Sequence, residues 1–403
     1  MTRTLFTNGT IFDGTGAAPA EGDLVVEDGK IVEVGTALDG DEAVDLGGRG
    51  LLPGLFDSHV HVMFSDVNMW RLLQEPFSLQ FYTAERNLRA TLEGGITWVR
   101  DAGGADLGVK EALERGWISG PRTQISLTML SQTGGHGDGW MASGQCVELM
   151  QDHPGVPSNI VDGPEEMRRK VRELIRHGAD VIKVATSGGV LSPRDDPRHP
   201  HFVPEELDVL VSEAALAGRW VMAHAQSNEG IKNAIRAGIR SIEHGIYLDE
   251  EAIEMMIAAG TWLVPTLVAP QGVVSAAEAG AAIPEASYLK AKEVVEIHRE
   301  SVAAAAAAGV KIAMGTDSGV TPHGRNLEEL ELMAGCGMSP TDVLVATTKS
   351  ASELLGVAGE FGTLEPGKRA DLVIVDGDPL DVTGLADRVA AVYQDGSLVG
   401  GGF

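Results

Sequence analysis

The hydrophobic pattern of the chain changes near residue 50 and again near residue 360. Before residue 50, short apolar runs flank Asn8-Gly9 and Asp28-Gly29, which are turn signals typical of β-hairpins. The last forty residues repeat this style, with apolar runs at 370–375 and 389–393 before Asp395-Gly396. Because neither end has enough strands for a stable sheet, we expect segments 1–50 and 360–403 to form one small composite β-sandwich.

Between residues 51 and 359, apolar strand candidates alternate with helical segments. The helical spacing of Met167, Val171 and Leu174 is one example, and the Ala- and Glu-rich segment 283–308 is another. The eight predicted strands are 51–56, 96–99, 123–127, 180–185, 220–223, 241–243, 262–265 and 310–314. Eight βα units over about 250 residues predict an α/β fold, a (β/α)8 TIM barrel. A doubly wound sheet is the alternative, but no Gly-rich phosphate turn follows an early strand.

Polar residues that can bind metals lie at the ends of these apolar strands. His59 and His61 close the first strand, and their spacing of two places both imidazoles on one face. The same position on later strands is occupied by Lys183, His224, His244 and Asp317. One histidine at a strand end is usually a hydrogen-bonded core residue, but six such residues at one end of a barrel favour a common site. A second pair, His199 and His201, lies in a Pro-rich polar loop and is expected to be solvated, with the lining of a pocket as the alternative.

The chemistry of this set indicates a metal centre. Imidazole and carboxylate are ligands of zinc-like divalent metals, and five such donors are enough for one ion but few for two. As an ammonium, Lys183 would repel cations; buried and neutral, it can react with CO₂ to give a carbamate, an anionic bridge. The resulting hypothesis is two metal ions, zinc or else cobalt or manganese, about 3.5–4 Å apart and sharing a hydroxide.

Composition and charge narrow the function classes. The 403 residues are 43% hydrophobic and 22% charged, ordinary values for a soluble globular protein. With 31 basic and 58 acidic residues, the net charge of −27 makes binding to nucleic acid or an anionic membrane unfavourable. Cys146 and Cys336 cannot form a disulfide framework or a four-thiolate metal site. With no signal peptide or long apolar run, we expect a cytoplasmic protein with a small-molecule substrate, and a homo-oligomer stays open.

Several motifs resemble the amidohydrolase superfamily over nearly the whole chain. They are Gly54-Leu55-Phe56-Asp57-Ser58-His59-Val60-His61, Val181-Ile182-Lys183, Ala223-His224-Ala225, Ile242-Glu243-His244-Gly245 and Gly315-Thr316-Asp317-Ser318-Gly319. Two further motifs, Thr133-Gly134-Gly135-His136-Gly137-Asp138 and Ser187-Gly188-Gly189-Val190, resemble its imidazolonepropionase-like and Xaa-Pro dipeptidase-like (prolidase) branch. The composite β-sandwich is part of the same resemblance.

The resemblance implies a role for each ligand. His59, His61 and Asp317 would bind the more buried metal, His224 and His244 the more exposed one, and carboxylated Lys183 would bridge them. Asp317 would also act as catalytic base and acid. His136 would be a second oxyanion donor, with a structural pairing to Asp138 as the alternative reading.

Two long loops, 131–161 and 187–203, are expected to shape the substrate site. The candidate substrate contacts are Tyr82, Trp140, Arg194, His201, Gln226, Tyr247, His323 and Arg325. An arginine there would suit a free carboxylate, although each arginine taken singly is more often a solvated loop charge. Gln226 departs from the Tyr or His that peptidases of this branch often carry two positions after the histidine of the fifth strand.

The leading hypothesis is a binuclear metal-dependent amidohydrolase that cleaves the amide bond of a dipeptide or N-acyl amino acid. An amidase acting on an aryl amide, carbamate, urea or mycotoxin amide is the first alternative. A deaminase or cyclic-amide hydrolase is the second, and Lys183 argues against it because mononuclear deaminases do not need that lysine. A non-enzymatic scaffold is disfavoured, since such proteins typically lose the ligands present here.

Overall fold

The computed structural model describes residues 2–192 and 194–402, and for residues 69 and 70 the backbone only. The strands are β1 (Thr4–Ile11), β2 (Ala20–Glu27), β3 (Lys30–Gly35), β4 (Glu42–Asp45), β5 (Gly50–Pro53), β6 (Leu55–Val60), β7 (Ile96–Asp101), β8 (Arg122–Ile125), β9 (Met129–Leu130), β10 (Ile182–Ala185), β11 (Val221–Ala225), β12 (Ser241–His244), β13 (Trp262–Val264), β14 (Lys311–Ile312), β15 (Leu372–Val375), β16 (Val389–Gln394) and β17 (Ser397–Gly401).

The helices alternate with the middle strands. They are α1 (Met69–Gln74), α2 (Leu79–Glu93), α3 (Leu107–Glu114), α4 (Pro164–Arg176), α5 (Pro204–Leu216), α6 (Asn228–Arg236), α7 (Glu250–Ala259), α8 (Val268–Glu278), α9 (Glu285–Ala308), α10 (Glu328–Gly335), α11 (Pro340–Ala346) and α12 (Lys349–Leu354), with a 3₁₀ turn at Leu385–Asp387. The predicted spacing in α4 is confirmed, because Met167, Val171 and Leu174 are all buried. Among the described residues, no helix combines the length and apolarity needed to cross a bilayer.

Both ends of the chain contribute to one eight-stranded sheet. Its order is β17-β16-β15-β5-β1-β2-β3, with β4 beside β1. The central contact is antiparallel, with Leu51 of β5 opposite Ile374 of β15. Phe6, Leu24 and Leu372 are completely buried in the core of this sheet. Neither end could bury these side chains alone, so the two ends depend on each other.

The predicted strand 51–56 is wrong in its bounds, because these residues belong to two different strands. β5 lies in the terminal sheet and β6 pairs in parallel with β7. Gly54 separates them, and its N–H donates to Asp371 O at 2.7 Å. A Cβ at Gly54 would collide with Thr97 and Asp371, so only glycine allows the chain to pass between the sheets here.

The middle of the chain has a TIM-barrel-like α/β fold. Parallel strands form a three-stranded sheet (β6-β7-β8) and a six-stranded sheet (β14-β13-β12-β11-β10-β9). Backbone hydrogen bonds connect β6 and the residue after it to the segment that follows β14. They run from Ser58 N–H to Met314 O (2.9 Å) and from His61 N–H to Ser318 O (2.7 Å). The assigned strand pairs do not form a complete ring in the described chain.

Candidate metal centre and active site

Three distant segments meet at the carboxyl ends of the parallel strands. Asp317 Oδ1 lies 3.3 Å from His59 Nε2 and 3.2 Å from His61 Nε2. One potential ligand atom from each of His59, His244 and Asp317 lies within 4.8 Å of the others. A divalent cation could therefore be held by two imidazoles and one carboxylate, which are ordinary zinc ligands.

The remaining histidines extend this cluster. The His244 ring lies 5.2 Å from that of His59 and 4.7 Å from that of His224, measured between ring centroids. His136 stacks on His224 at 4.1 Å with an angle of 16° between the rings. The structure thus brings together all six residues predicted as metal ligands, and they line one cavity: His59, His61, Lys183, His224, His244 and Asp317.

Lys183 is buried on β10. It is 1% exposed, and its Nζ has no hydrogen bond with any described residue. Burial lowers the pKa of Lys183 to about 8, although Glu243 and Asp317 act in the opposite direction. A buried ammonium without hydrogen bonds is unfavourable, so this amine suits a modified or metal-bridging state.

The backbone is strained at two of these residues. His244 has φ +72° and Asp317 has φ +63°, in the left-handed region that non-glycine residues rarely adopt. Such conformations cost roughly 1–3 kcal/mol each and cluster at functional sites. Both of these side chains line the same cavity.

Outer hydrogen bonds orient the imidazole rings. His59 Nδ1 donates to Glu243 Oε2 at 2.8 Å, and His61 Nδ1 donates to Gly103 O at 2.8 Å. His244 Nδ1 lies 2.7 Å from Thr266 Oγ1. With Nδ1 engaged, the Nε2 atoms are available to the centre, which is the usual arrangement behind metal-binding histidines.

A buried ion pair between Arg100 and Glu243 supports the His59 ring, and the sequence analysis did not predict it. Arg100 Nη2 donates to Glu243 Oε1 at 3.0 Å, and Arg100 Nε donates to Ser58 O at 2.7 Å. Burial opposes ionisation of Glu243, but Arg100, His59 and Lys183 together outweigh burial and lower the pKa of that carboxyl. The available signal was a charged residue inside each of two parallel strands, Arg100 in β7 and Glu243 in β12.

His136 is held by a different loop from the one expected. Its Nδ1 lies 2.7 Å from Ser192 Oγ and 3.4 Å from Asp195 Oδ2. The alternative pairing with Asp138 is wrong, because the Asp138 carboxylate accepts the backbone N–H groups of Gly134 and Trp140. These turn contacts satisfy Asp138 within its own loop.

The cluster opens into a cavity of about 690 Å³. The loop 131–161 supplies much of its wall, and many lining side chains are apolar: Phe64, Leu73, Met129, Trp140, Met141, Val147, Leu149, Met150, Leu191 and Val320. The Arg194 guanidinium lies 5.1 Å from the centroid of the Trp140 ring. Of the predicted substrate contacts, Trp140 and Arg194 line this cavity, and Gln226 lines an adjoining one of about 50 Å³.

The other predicted substrate contacts are not among the described residues that line either cavity. Tyr82 is 68% exposed on α2, and Tyr247 is partly buried after β12. Arg325 forms ion pairs with Glu328 and Asp387. His323 Nε2 donates to the backbone oxygen of His61. His201 is buried rather than solvated as expected.

Comparison with known proteins decides the family. The sequence matches the model of the amidohydrolase family over residues 51–399. This chain belongs to the amidohydrolase family. Members of this family act on small molecules and generally use divalent metals, in line with the His59, His244 and Asp317 cluster. The protein is therefore a hydrolase of C–N bonds, as predicted.

Three relatives place the chain within the family. The ochratoxinase of Aspergillus niger is 36% identical over 369 residues, 87% of this chain and 76% of that enzyme. The imidazolonepropionase of Rhizorhabdus wittichii is 29% identical over 392 residues, 88% of each chain. The crystal structure of a Xaa-Pro dipeptidase with bound methionine has a TM-score of 0.89 and 32% identity, covering 98% of this chain and 99% of that one. The predicted resemblance to the imidazolonepropionase-like and Xaa-Pro dipeptidase-like branch is confirmed.

Proposed function

We propose that this amidohydrolase cleaves the amide bond of an N-acyl amino acid or dipeptide that carries a bulky apolar group. The observation that supports this proposal most strongly is the position of the His/Asp cluster on the wall of a large, mainly apolar cavity. Apolar pockets with a few polar groups are typical of small-molecule sites. A substrate of this kind would place its amide at the cluster and its apolar group against the loops.

We propose two metal positions. His59, His61 and Asp317 would hold one divalent ion, and His224 and His244 the other, with a carbamate of Lys183 between them. The hydrogen bonds behind the rings and the unpartnered Lys183 amine support this assignment. Zinc fits these ligands, as do cobalt and manganese. Bound divalent ions would polarise the amide carbonyl and lower the pKa of water, which is what hydrolysis at neutral pH requires.

Asp317 would transfer the proton, and His136 would stabilise the negative charge on the carbonyl oxygen. Burial raises the pKa of Asp317, but His59 and His61 outweigh it and hold the pKa well below its usual range. Ionised, Asp317 can accept a proton from the attacking water and pass it to the leaving nitrogen. His136 would hydrogen-bond the carbonyl oxygen as negative charge develops there, since its Nε2 has no protein partner in the described chain.

Arg194 is the residue we assign to a substrate carboxylate. It is the one arginine among the described residues that line the large cavity, and no ion pair with a described acidic residue involves it. A guanidinium binds a carboxylate through two parallel hydrogen bonds. Trp140, against which Arg194 packs, would then contact the neighbouring apolar group of the substrate.

A substrate panel tests the function. We expect the zinc-loaded protein to hydrolyse N-(2-naphthoyl)-L-phenylalanine at least about tenfold faster, in kcat/KM, than N-acetylglycine or the corresponding C-terminal amide. Detection of both products by chromatography identifies the broken bond. Faster hydrolysis of aryl carbamates or phenylureas, or ammonia release from an aminopurine, would contradict the proposal.

A non-peptide amide is the second candidate. The apolar character of the cavity favours it, and Gln226 offers no positive charge to a carboxylate in the smaller cavity. Equal rates on the naphthoyl acid and its C-terminal amide would support this candidate, because the free carboxylate would then contribute nothing.

For the architecture, we propose a closed (β/α)8 barrel between about residues 51 and 359, and one composite β-sandwich domain from segments 1–50 and 360–403. The hydrogen bonds from Ser58 and His61 to the segment after β14 support closure. The pairing of β5 with β15 supports a shared terminal domain, with its first boundary close to Gly54.

A further inference from the structure

Lys290 on α9 reaches into the loop between β10 and α5. Its Nζ donates to three backbone carbonyl oxygens of this loop, Gly189 O (3.0 Å), Ser192 O (2.7 Å) and Asp195 O (2.5 Å). The Asp195 carboxylate lies 3.3 Å away. The Lys290 side chain is only 19% exposed, so these contacts are largely shielded from water.

Three carbonyl oxygens facing one point are unfavourable unless a cation or a donor lies between them. An ammonium has three N–H donors, which matches the three carbonyls. Residues 187–192 and 194–203 contain no helix or strand, and a β-bridge between Ser187 and Pro200 joins the base of the loop. Between these two residues, the Lys290 ammonium holds three carbonyl oxygens of the loop together.

The same loop holds His136. Ser192 and Asp195 contact the Nδ1 side of the ring, at 2.7 Å and 3.4 Å. Gly189 passes directly against the ring, where any Cβ would collide with it. The ring also stacks on that of His224. The ring is thus fixed between one strand histidine and one loop, and Lys290 organises that loop.

We propose that Lys290 is a positioning residue that sets the orientation of His136 for amide hydrolysis, acting through loop residues 187–192 and 194–203. This inference rests on the proposed function, in which His136 contacts the substrate carbonyl. Ser287 adds a weaker tether from the same helix, since its Oγ donates to Leu191 O at 3.2 Å. Helix α9 would thereby act on the His136 ring through the loop, without contacting the substrate itself.

The charge of Asp195 agrees with this arrangement. Burial raises its pKa, but His136, Ser192 and Lys290 together outweigh burial and leave the pKa lowered. An ionised Asp195 accepts from the loop N–H of Gly189 at 3.1 Å as well as facing His136. Loss of the Lys290 charge would leave this carboxylate and three carbonyls without their shared donor.

The first test compares Lys290→Met, which keeps the length of the side chain, with Lys292→Met on the same helix. Lys292 is exposed and lies over the Tyr288 ring, away from the loop. We expect Lys290→Met to lower kcat about 10- to 100-fold with KM and zinc content within about threefold, because a small displacement of a catalytic group has such effects. Lys292→Met should behave as the unmodified protein, and Lys290→Arg should recover part of kcat.

A double variant separates positioning from general destabilisation. If Lys290 acts through His136, Lys290→Met combined with His136→Ala should lose no more than about twofold beyond His136→Ala alone. Multiplication of the two losses would overturn the inference, as would an unchanged kcat in Lys290→Met.

Proteolysis supplies a measurement that needs no substrate. We expect trypsin to cut after Arg194 and Arg198 about tenfold faster in Lys290→Met than in Lys292→Met, because the loop is less ordered. Mass spectrometry of the early fragments identifies the sites. Equal cleavage in the two variants would overturn the inference while leaving the proposed amide hydrolysis intact. Absence of amide hydrolysis in the unmodified protein would instead refute the proposed function, and the proteolysis would still report on Lys290.

Discussion

Two walls of the active-site cavity are built on different principles. The strand wall consists of His59, His61, Lys183, His224, His244 and Asp317, which lie on or directly after parallel strands. The loop wall consists of residues 131–161, 187–192 and 194–203. Side chains of the strand wall are buried except for that of Asp317, which is 14% exposed, and several have a second polar partner behind them, such as Glu243 behind His59. The loop wall presents apolar side chains that are partly exposed, including Trp140 and Met141.

This difference indicates how the two walls divide the work. Metal-binding and proton-transferring groups must be held within fractions of an ångström, and strands with outer hydrogen bonds achieve this. Recognition of a bulky apolar group needs area and shape, which loops can vary without disturbing the strands. We therefore expect changes in the strand wall to affect metal content and kcat, and changes in the loop wall to affect KM and substrate range.

The largest effect is expected from Asp317→Asn in the strand wall. The amide keeps the shape of the side chain but can neither accept nor deliver the proton, so kcat should fall by about 10²- to 10⁴-fold. Steady-state kinetics on the best panel substrate measures this, and metal analysis of the same preparation shows whether the site is still loaded. Retention of more than a tenth of kcat would assign the proton transfer to another group.

Lys183→Ala should remove both metal and activity. The variant lacks the amine on which a bridging carbamate would form, so we expect at least one of two zinc ions to be lost and kcat to fall by about 10²-fold. Short carboxylic acids such as formate should restore part of the activity, because they can occupy the space of the carbamate. Lys292→Ala serves as the matched lysine control. Full zinc content without any rescue would argue against a bridging lysine.

A smaller and different effect is expected in the loop wall. Trp140→Ala should raise KM for an aromatic substrate by about tenfold, about 1.4 kcal/mol, while zinc content and the kcat for small substrates stay unchanged. Trp117→Ala is the control, since Trp117 is 73% exposed and is not among the described residues of the cavity. A loss of zinc in Trp140→Ala would remove the proposed distinction between the walls.

The last effect concerns stability in acid rather than activity, through a residue just behind the strand wall. Burial lowers the pKa of His298 from 6.5 to about 4, and its Nε2 donates to His244 O. A buried neutral histidine contributes stability above its unfolded pKa, and this contribution is lost as the pH falls from about 6.5 towards 4. The free energy of unfolding should fall between pH 7 and pH 4.5 in both proteins. The fall should be about 2 kcal/mol smaller in His298→Gln than in the unmodified protein. Urea unfolding measures this, with the exposed His199→Gln as control; equal losses in all three proteins would contradict the assignment.

The strand wall was largely predictable from the sequence. A histidine, lysine or aspartate after an apolar run marks the carboxyl end of a strand, and the barrel geometry brings such ends together. For this reason all six predicted ligands lie in one cavity. Their roles as ligands stay predictions until metal is measured.

The loop wall and the outer contacts were less predictable, for physical reasons. The partner of His136 is Asp195, some sixty residues away in the sequence, and no periodicity indicates such a contact. Arg325 forms ion pairs with Glu328 and Asp387, and Tyr82 on α2 is exposed to solvent, although both were expected near the site. The division of 51–56 into two strands depends on the close contacts of Gly54 in three dimensions. Local pattern carries none of this information.

The pairing of β5 with β15 has a consequence for biosynthesis. A ribosome adds about 5–20 residues per second, so roughly 15–60 seconds separate the synthesis of β5 from that of its neighbour β15. Throughout that interval the hydrogen-bonding edge of β5 at Gly50–Pro53 has no mate on one side. Nascent chains of this protein would then be a natural target for chaperones that shield open β-edges until translation is complete.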